Sequence, residues 1–142
     1  MESIAMGIAT VLVGTWIGAI IFHSAVVAPT VFRGLDEEAA RSFLRTLFPK
    51  FFKLGLVCGT LTVVAAAVAL AAGSDNALLL LGTAAGMTLL EGVSLAMIPA
   101  INAARDAGPA GAARFARLHK INVLLTVVIL IVGLVVLYRL GA

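Results

Sequence analysis

Long apolar runs divided by short polar stretches set the rhythm of this chain. Uncharged residues fill Ser3–Phe32, Leu54–Ser74, Asn76–Ala104 and Ile121–Tyr138, and only Glu91 interrupts the third run. Each run reaches or approaches the ~20 residues that a helix needs to cross a bilayer core. None alternates as a strand does, and Ala, Leu and Gly dominate, so the pattern predicts helices and not a β-barrel. The expected fold is all-α, an integral membrane four-helix bundle forming one domain over residues 1–142. Its spans fall near residues 4–32, 52–73, 77–104 and 119–140. The first and third runs are the longest, so they should tilt, kink near Pro29 and Pro99, or project from the membrane.

The polar stretches carry their own helix signals. In "LDEEAARSFLRTLFP", Asp36 is a candidate N-cap, with Glu37 and Glu38 in the first turn where acids suit the helix dipole. Phe43, Leu44, Leu47 and Phe48 then fall on one side, as in an amphipathic helix lying on a membrane surface. Pro49 suits the first turn of the second span. The "AGPAG" stretch is a turn, and Pro109 can start a helix that runs into the fourth span. Between the second and third spans "GSDN" leaves room only for a tight connection.

Composition turns this pattern into a class. Hydrophobic residues make up 62 % and charged residues 12 %, against the ~45–50 % and ~25 % of soluble domains. So little charge cannot cover a soluble surface. The basic residues gather in two loops: Arg33, Arg41, Arg45, Lys50 and Lys53 in one, Arg105, Arg114, Arg117 and Lys120 in the other. The "GSDN" turn and the N-terminus have no Lys or Arg, and the C-terminus has only Arg139. By the positive-inside rule both loops face the cytoplasm and both termini lie outside a cell membrane. The net charge of +3 is therefore a topology signal and no nucleic-acid footprint. Arg41, Arg45, Arg114 and Arg117 are placed to touch anionic lipid. No cleavable signal is expected, because Glu2 stands where a signal has Lys or Arg. The lone Cys58 lies in an apolar run and reads as a small core residue.

Chemistry must come from the few polar side chains inside the spans. At ~100° per residue, Thr88, Ser94 and Asn102 share the face of Glu91. Trp16 and Thr30 share that of His23, and His119, Asn122 and Thr126 form a third stripe. A charged group at a helix centre costs roughly 2.5–3.5 kcal/mol even on the mild translocon scale, so these stripes should face the bundle interior. Glu91 lies about 21 Å and His23 about 15 Å from the basic end at ~1.5 Å per residue. The expected binding cluster centres on Glu91, protonated or hydrogen-bonded, facing the first span near His23. Thr88, Ser94, Asn102, His119 and Asn122 complete the set. Gly14/Gly18, Gly55/Gly59 and Gly82/Gly86 have the spacing that lets helices approach closely. On the first and third spans they lie opposite the polar stripes, which points to a homo-oligomer.

Several of these stretches resemble a known family. "GTWIG", "VVAPTVFRGLDEEAARSFLRTLFPKFFKLG", "MIPAINAAR" and "FARLHKINVL" are similar to the transmembrane protein 205-like family, a domain of unknown function. Leu47–Pro49 and Phe115–His119 are the most specific elements. The resemblance implies a four-span membrane protein. A eukaryotic relative's link to platinum-drug resistance implies transport or trafficking without a mechanism. Glu91 and His23 are outside the matching motifs, so no role passes to them. The layout is also similar to small four-helix copper-resistance and haem-associated membrane proteins.

Three function classes follow. The leading one is binding or transport of a small solute, cation or amphiphile through the inward polar cluster. The second is an accessory subunit whose polar groups only lock packing. The alternative is a haem- or copper-binding redox protein using His23 and His119, weakened because those residues differ in depth by two or more turns. No Ser-His-Asp or HExxH arrangement occurs, so neither an enzyme nor a resident cofactor is expected.

Overall fold

The computed structural model describes residues 1–141. They form five α-helices and no strand: α1 (Glu2–Phe22), α2 (Ala28–Gly34), α3 (Glu37–Ala71), α4 (Ala77–Asp106) and α5 (Ala112–Gly141). A π-helical turn, His23–Val27, joins α1 to α2, and a 3-10 turn, Gly108–Gly111, precedes α5. Four continuous helical stretches are long and apolar enough to span a membrane. Consecutive stretches run antiparallel and close a ring in which α1 packs on α3 and α5, and α4 packs on α3 and α5. All the loop bases except Arg139 thus gather at one end, the basic end.

Local chemistry explains where the helices stop. Asp36 caps α3, its Oδ1 accepting the Ala39 N–H at 2.8 Å. At the other end of α3 the Ser74 N–H bonds to the Ala69 carbonyl and the Gly73 N–H to that of Leu70. Gly73 has φ +89°, the left-handed conformation that this Schellman closure requires and glycine supplies at no steric cost. The turn predicted at "GSDN" is this one.

One expectation about the helices is corrected. The surface helix is not separate from the second span. It merges with it into the 35-residue α3, with Pro49 in the interior and not at a helix start. Proline there forfeits the bond to the Arg45 carbonyl, at about 3 kcal/mol. Aromatic packing of Phe48, Phe51 and Phe52 spans the defect. As the turn at Pro109 predicts, α5 begins at Ala112 and runs unbroken into the fourth span. At ~1.5 Å per residue α3 is about 52 Å long, so its basic end projects beyond a ~30 Å hydrocarbon core.

At Pro29 the helix adapts by widening. Its ring would crowd the carbonyl four residues back, at Ala25. In the turn before it the Ala28 N–H bonds instead to the His23 carbonyl, five residues away. The same difficulty at Pro99 leaves α4 continuous.

The core is built from Val13, Trp16, Ile17, Ile20, Met87 and Ile129 among small residues such as Ala9, Ala66 and Cys58. Gly133 of α5 gives Ile17 and Met87 their room, since a Cβ there would sit 2.6 Å from Ile17 Cγ1. Outside, Val11, Leu61, Leu78, Leu89 and Leu124 present a large apolar surface, the arrangement lipid tails favour.

Candidate functional site

The predicted polar residues separate into two neighbouring places. The first is sealed. Glu91 is 1 % exposed, as is Trp16, and Ser94 is fully buried. Glycines on α3 make the space for them. A Cβ on Gly55 would lie 2.5 Å from the Trp16 Nε1 and closer still to the Glu91 Oε1. One turn on, a Cβ on Gly59 would lie 2.9 Å from the Trp16 Cζ3 and would collide with the Thr88 hydroxyl. The indole therefore lies along the glycine stripe, with its N–H end beside the carboxyl of Glu91 and its ring edge beside Thr88.

Hydrogen bonding in this group is incomplete. Thr88 donates to the Ala84 carbonyl at 2.7 Å. Among the described residues, Trp16 Nε1, both Glu91 oxygens and Ser94 Oγ are buried without a hydrogen-bond partner. Unpaired polar atoms in a low-dielectric interior are costly, at about 1–3 kcal/mol each. The Trp16 N–H, which shares the space beside Gly55 with the carboxyl, is the donor placed to satisfy it.

The second place is a cavity of about 510 Å³ at the basic end. Its apolar wall includes Phe48, Phe51, Phe52, Ile98, Ile101 and Phe115, and its polar groups are His23, Ser24, Asn102, His119, Asn122 and Thr126. Arg45 and Arg105 close the end toward the loops. Arg45 is paired with Asp106. Arg105 makes no ion pair among the described residues, and its guanidinium lies 4.3 Å above the centre of the Phe115 ring. Beyond it lies a shallower, more polar cavity of about 650 Å³. Phe32, Leu44, Arg105 and Phe115 belong to the walls of both.

Aromatic contacts hold both histidines. The His23 ring packs on Phe51 at 4.9 Å and on Phe48 at 5.3 Å between centroids. His119 stacks on Phe115 at 5.5 Å. The two histidines, set at different depths by residue counting, line one cavity. His23 stands among the Phe rings and not beside Glu91, whose neighbour on the first span is Trp16, seven residues earlier. The cluster expected around Glu91 and His23 is therefore two clusters. His23, Asn102, His119 and Asn122 line the cavity, while Glu91, Thr88 and Ser94 form the sealed group. Asn122 stands at the partition, donating through Nδ2 to the Ser94 carbonyl at 2.9 Å.

Helical phase alone leaves three features of the site unplaced. Trp16 shares the helical phase of His23 but packs beside Glu91. The glycines of the second span face inward and not toward another copy. Arg45 and Arg105 read as loop bases in the sequence and nothing there marks Phe51 or Phe52, yet all four line the cavity with Phe48 and Phe115; the run Phe48, Phe51, Phe52 is the one signal the sequence carries for them.

Comparison with known proteins gives one match. The profile of a family described as a domain of unknown function (DUF4149) fits residues 11–110. That span takes in Trp16, the π turn, Glu91 and both cavity arginines, and stops before α5. Neither the curated proteins nor the solved structures contain a match.

Proposed function

The chain belongs to the DUF4149 family of domains of unknown function, which brings no activity with it, and from its cavity we propose that it binds a small amphiphile with an acidic head group. The observation that carries this is Arg105, an arginine without an ion pair among the described residues, at one end of a cavity whose wall is mostly apolar and aromatic with a few polar groups. Ligand sites of this kind are mostly apolar with a few placed polar groups, at about 300–1,000 Å³. An acid head would take Arg105 as partner and Asn102 or His119 as further contacts, with its apolar part against Phe48, Phe51 and Ile98. A cation is disfavoured here by the two guanidinium groups. It is disfavoured at Glu91 because that carboxyl lines neither cavity.

The narrower resemblance to the transmembrane protein 205-like family fits this reading. Its two most specific elements, Leu47–Pro49 and Phe115–His119, supply Phe48, Phe115 and His119 to the cavity wall. Transport or trafficking of the bound amphiphile is the role we attach to it. We place the basic end in the cytoplasm, because both basic loops lie there and short basic loops are retained inside.

The test is retention of radiolabelled dodecanoate by the protein in nanodiscs, relative to empty discs. Arg105→Gln should weaken it about tenfold or more, since a hydrogen bond to a charged group is worth about 1.5–3 kcal/mol. Equal retention by protein-loaded and empty discs rules out the proposal.

The alternative is a haem- or copper-binding redox protein. What supports it is that His23 and His119 line the same cavity. Against it, no three His, Cys, Asp or Glu side chains come together among the described residues, and each imidazole is packed on phenylalanine. A visible absorption band or stoichiometric copper in the purified protein, lost in both His23→Ala and His119→Ala, would establish it. Without either ligand, the accessory-subunit reading stands.

Self-association is also part of the proposal. A Cβ on Gly18, Gly82 or Gly86 would meet nothing within 4 Å, so these glycines face outward, where a second copy can pack closely. Gly82→Ile with Gly86→Ile should lower the stoichiometry seen by native mass spectrometry. A wild-type monomer in lipid would end this idea.

A further inference from the structure

The cavity has a side opening whose lips are built by two helical stripes. On one side stand Ser24, Ala28 and Phe32, spaced four apart across the π turn and α2. On the other stand His119, Val123 and Val127, spaced four apart on α5. All six line the cavity. Phe32 is 67 %, Val123 46 % and Val127 41 % exposed, so large apolar side chains at the mouth face outward.

The π turn explains why the helices part there. Above it α1 is tight against α5, where Ile17 seats on Gly133. Below it α2 packs instead on α3, through Val31 against Ala40 and Leu44. The extra residue per turn at His23–Val27 changes the direction in which the helix's apolar stripe faces. What results is a slot between α2 and α5, which make no substantial contact with each other, and its lips carry exposed apolar side chains.

We propose that the slot admits one acyl chain of an anionic phospholipid from the leaflet at the basic end. Its head group sits at Arg105, beside the Arg45–Asp106 pair. This rests on the amphiphile reading above and names the source of the ligand and its route. Three observations select a lipid. The mouth is lined by exposed apolar residues, which suit a chain arriving from hydrocarbon and not a solute arriving from water. The cavity, at about 510 Å³, accommodates one chain and not two, so the second chain of a phospholipid stays in the bilayer outside a lateral slot. The charge at the loop end is positive, and anionic head groups concentrate against basic residues at about 1 kcal/mol per Lys or Arg near the surface. At the loop end, Phe32, Leu44, Arg105 and Phe115 are shared with the wall of the shallower cavity.

The experiment is native mass spectrometry of protein released from nanodiscs of equal phosphatidylglycerol and phosphatidylcholine. The wild type should retain one phosphatidylglycerol, at least tenfold in preference to phosphatidylcholine. Val123→Trp on one lip and Ala28→Leu on the other should each cut retention about tenfold, as should Arg105→Gln. Lys53→Gln, at an exposed basic residue outside both cavity walls, should leave it unchanged. Circular dichroism and gel filtration identify a variant that has not folded, and the other lip then decides. Retention indifferent to both lip variants, or reduced as much by Lys53→Gln as by Arg105→Gln, overturns the slot. Dodecanoate separates the two proposals: dodecanoate held without phosphatidylglycerol defeats the lipid route alone, and neither held defeats both.

Discussion

At the scale of single residues, the sealed group turns on two glycines. Gly55 and Gly59 give up side chains so that Trp16, Glu91 and Thr88 can enter the space between α1, α3 and α4. Gly55→Ala would place a Cβ 2.7 Å from the Glu91 Cδ as well as against the indole. Overpacking of that kind costs about 1–3 kcal/mol. Gly55→Ala should therefore unfold at lower temperature than the wild type, while Gly18→Ala, which meets open space, should not. Equal thermal stability of the two variants would show that the groove is not packed as described. Glu91→Gln keeps the shape and the capacity to hydrogen-bond while removing the titratable group. Because Glu91 stands apart from the cavity wall, the variant should fold and retain dodecanoate as the wild type does. A folded Glu91→Gln protein that has lost binding would make the carboxyl a working gate instead of a packing contact.

At the scale of elements, α3 joins the aqueous loop to the membrane span in one rod. Its start depends on Asp36, whose side chain satisfies a backbone N–H that the helix cannot. Loss of such a cap costs about 0.5–2 kcal/mol. Asp36→Ala should lower the thermal midpoint and speed amide exchange in residues 37–41, while Asp36→Asn, still an acceptor, should restore both. Exchange unchanged in Asp36→Ala would mean that the first turn is held by something else. The exposed Glu37–Arg41 pair is no such alternative, since surface pairs at this spacing contribute about 0.3–0.5 kcal/mol.

At the scale of the molecule, the antiparallel ring gathers both basic loops at one end and the termini with the "GSDN" turn at the other. Insertion with the basic end in the cytoplasm can be checked with single cysteines in a Cys58→Ala background. The probes belong at Asn76 and Ala112, one at each end of the bundle and both exposed. An impermeant thiol reagent added outside intact cells should label Asn76→Cys and spare Ala112→Cys. The opposite result would reverse the orientation and move the slot to the outer leaflet.

The sequence by itself determined the number of spans, the all-helical class, the cap at Asp36, the turn at Gly73 and the gathering of basic residues. These follow from hydropathy and from contacts only a few residues apart, which a chain carries in its local order. It also marked seven polar residues as inward, and Glu91, Ser94 and Asn122 are indeed buried. Only the tertiary structure decided which of them meet. Helical phase at ~100° per residue holds within an unbroken helix, and the π turn at His23–Val27 shifts the phase of everything after it, Thr30 included. Depth counted in residues carries no information on the reach of a side chain, so it does not place the indole of Trp16 at Glu91. The glycine pairs look alike in sequence. Gly55 and Gly59 face inward because Trp16 of another helix fills the groove they leave, and that is a property of packing partners no single helix contains.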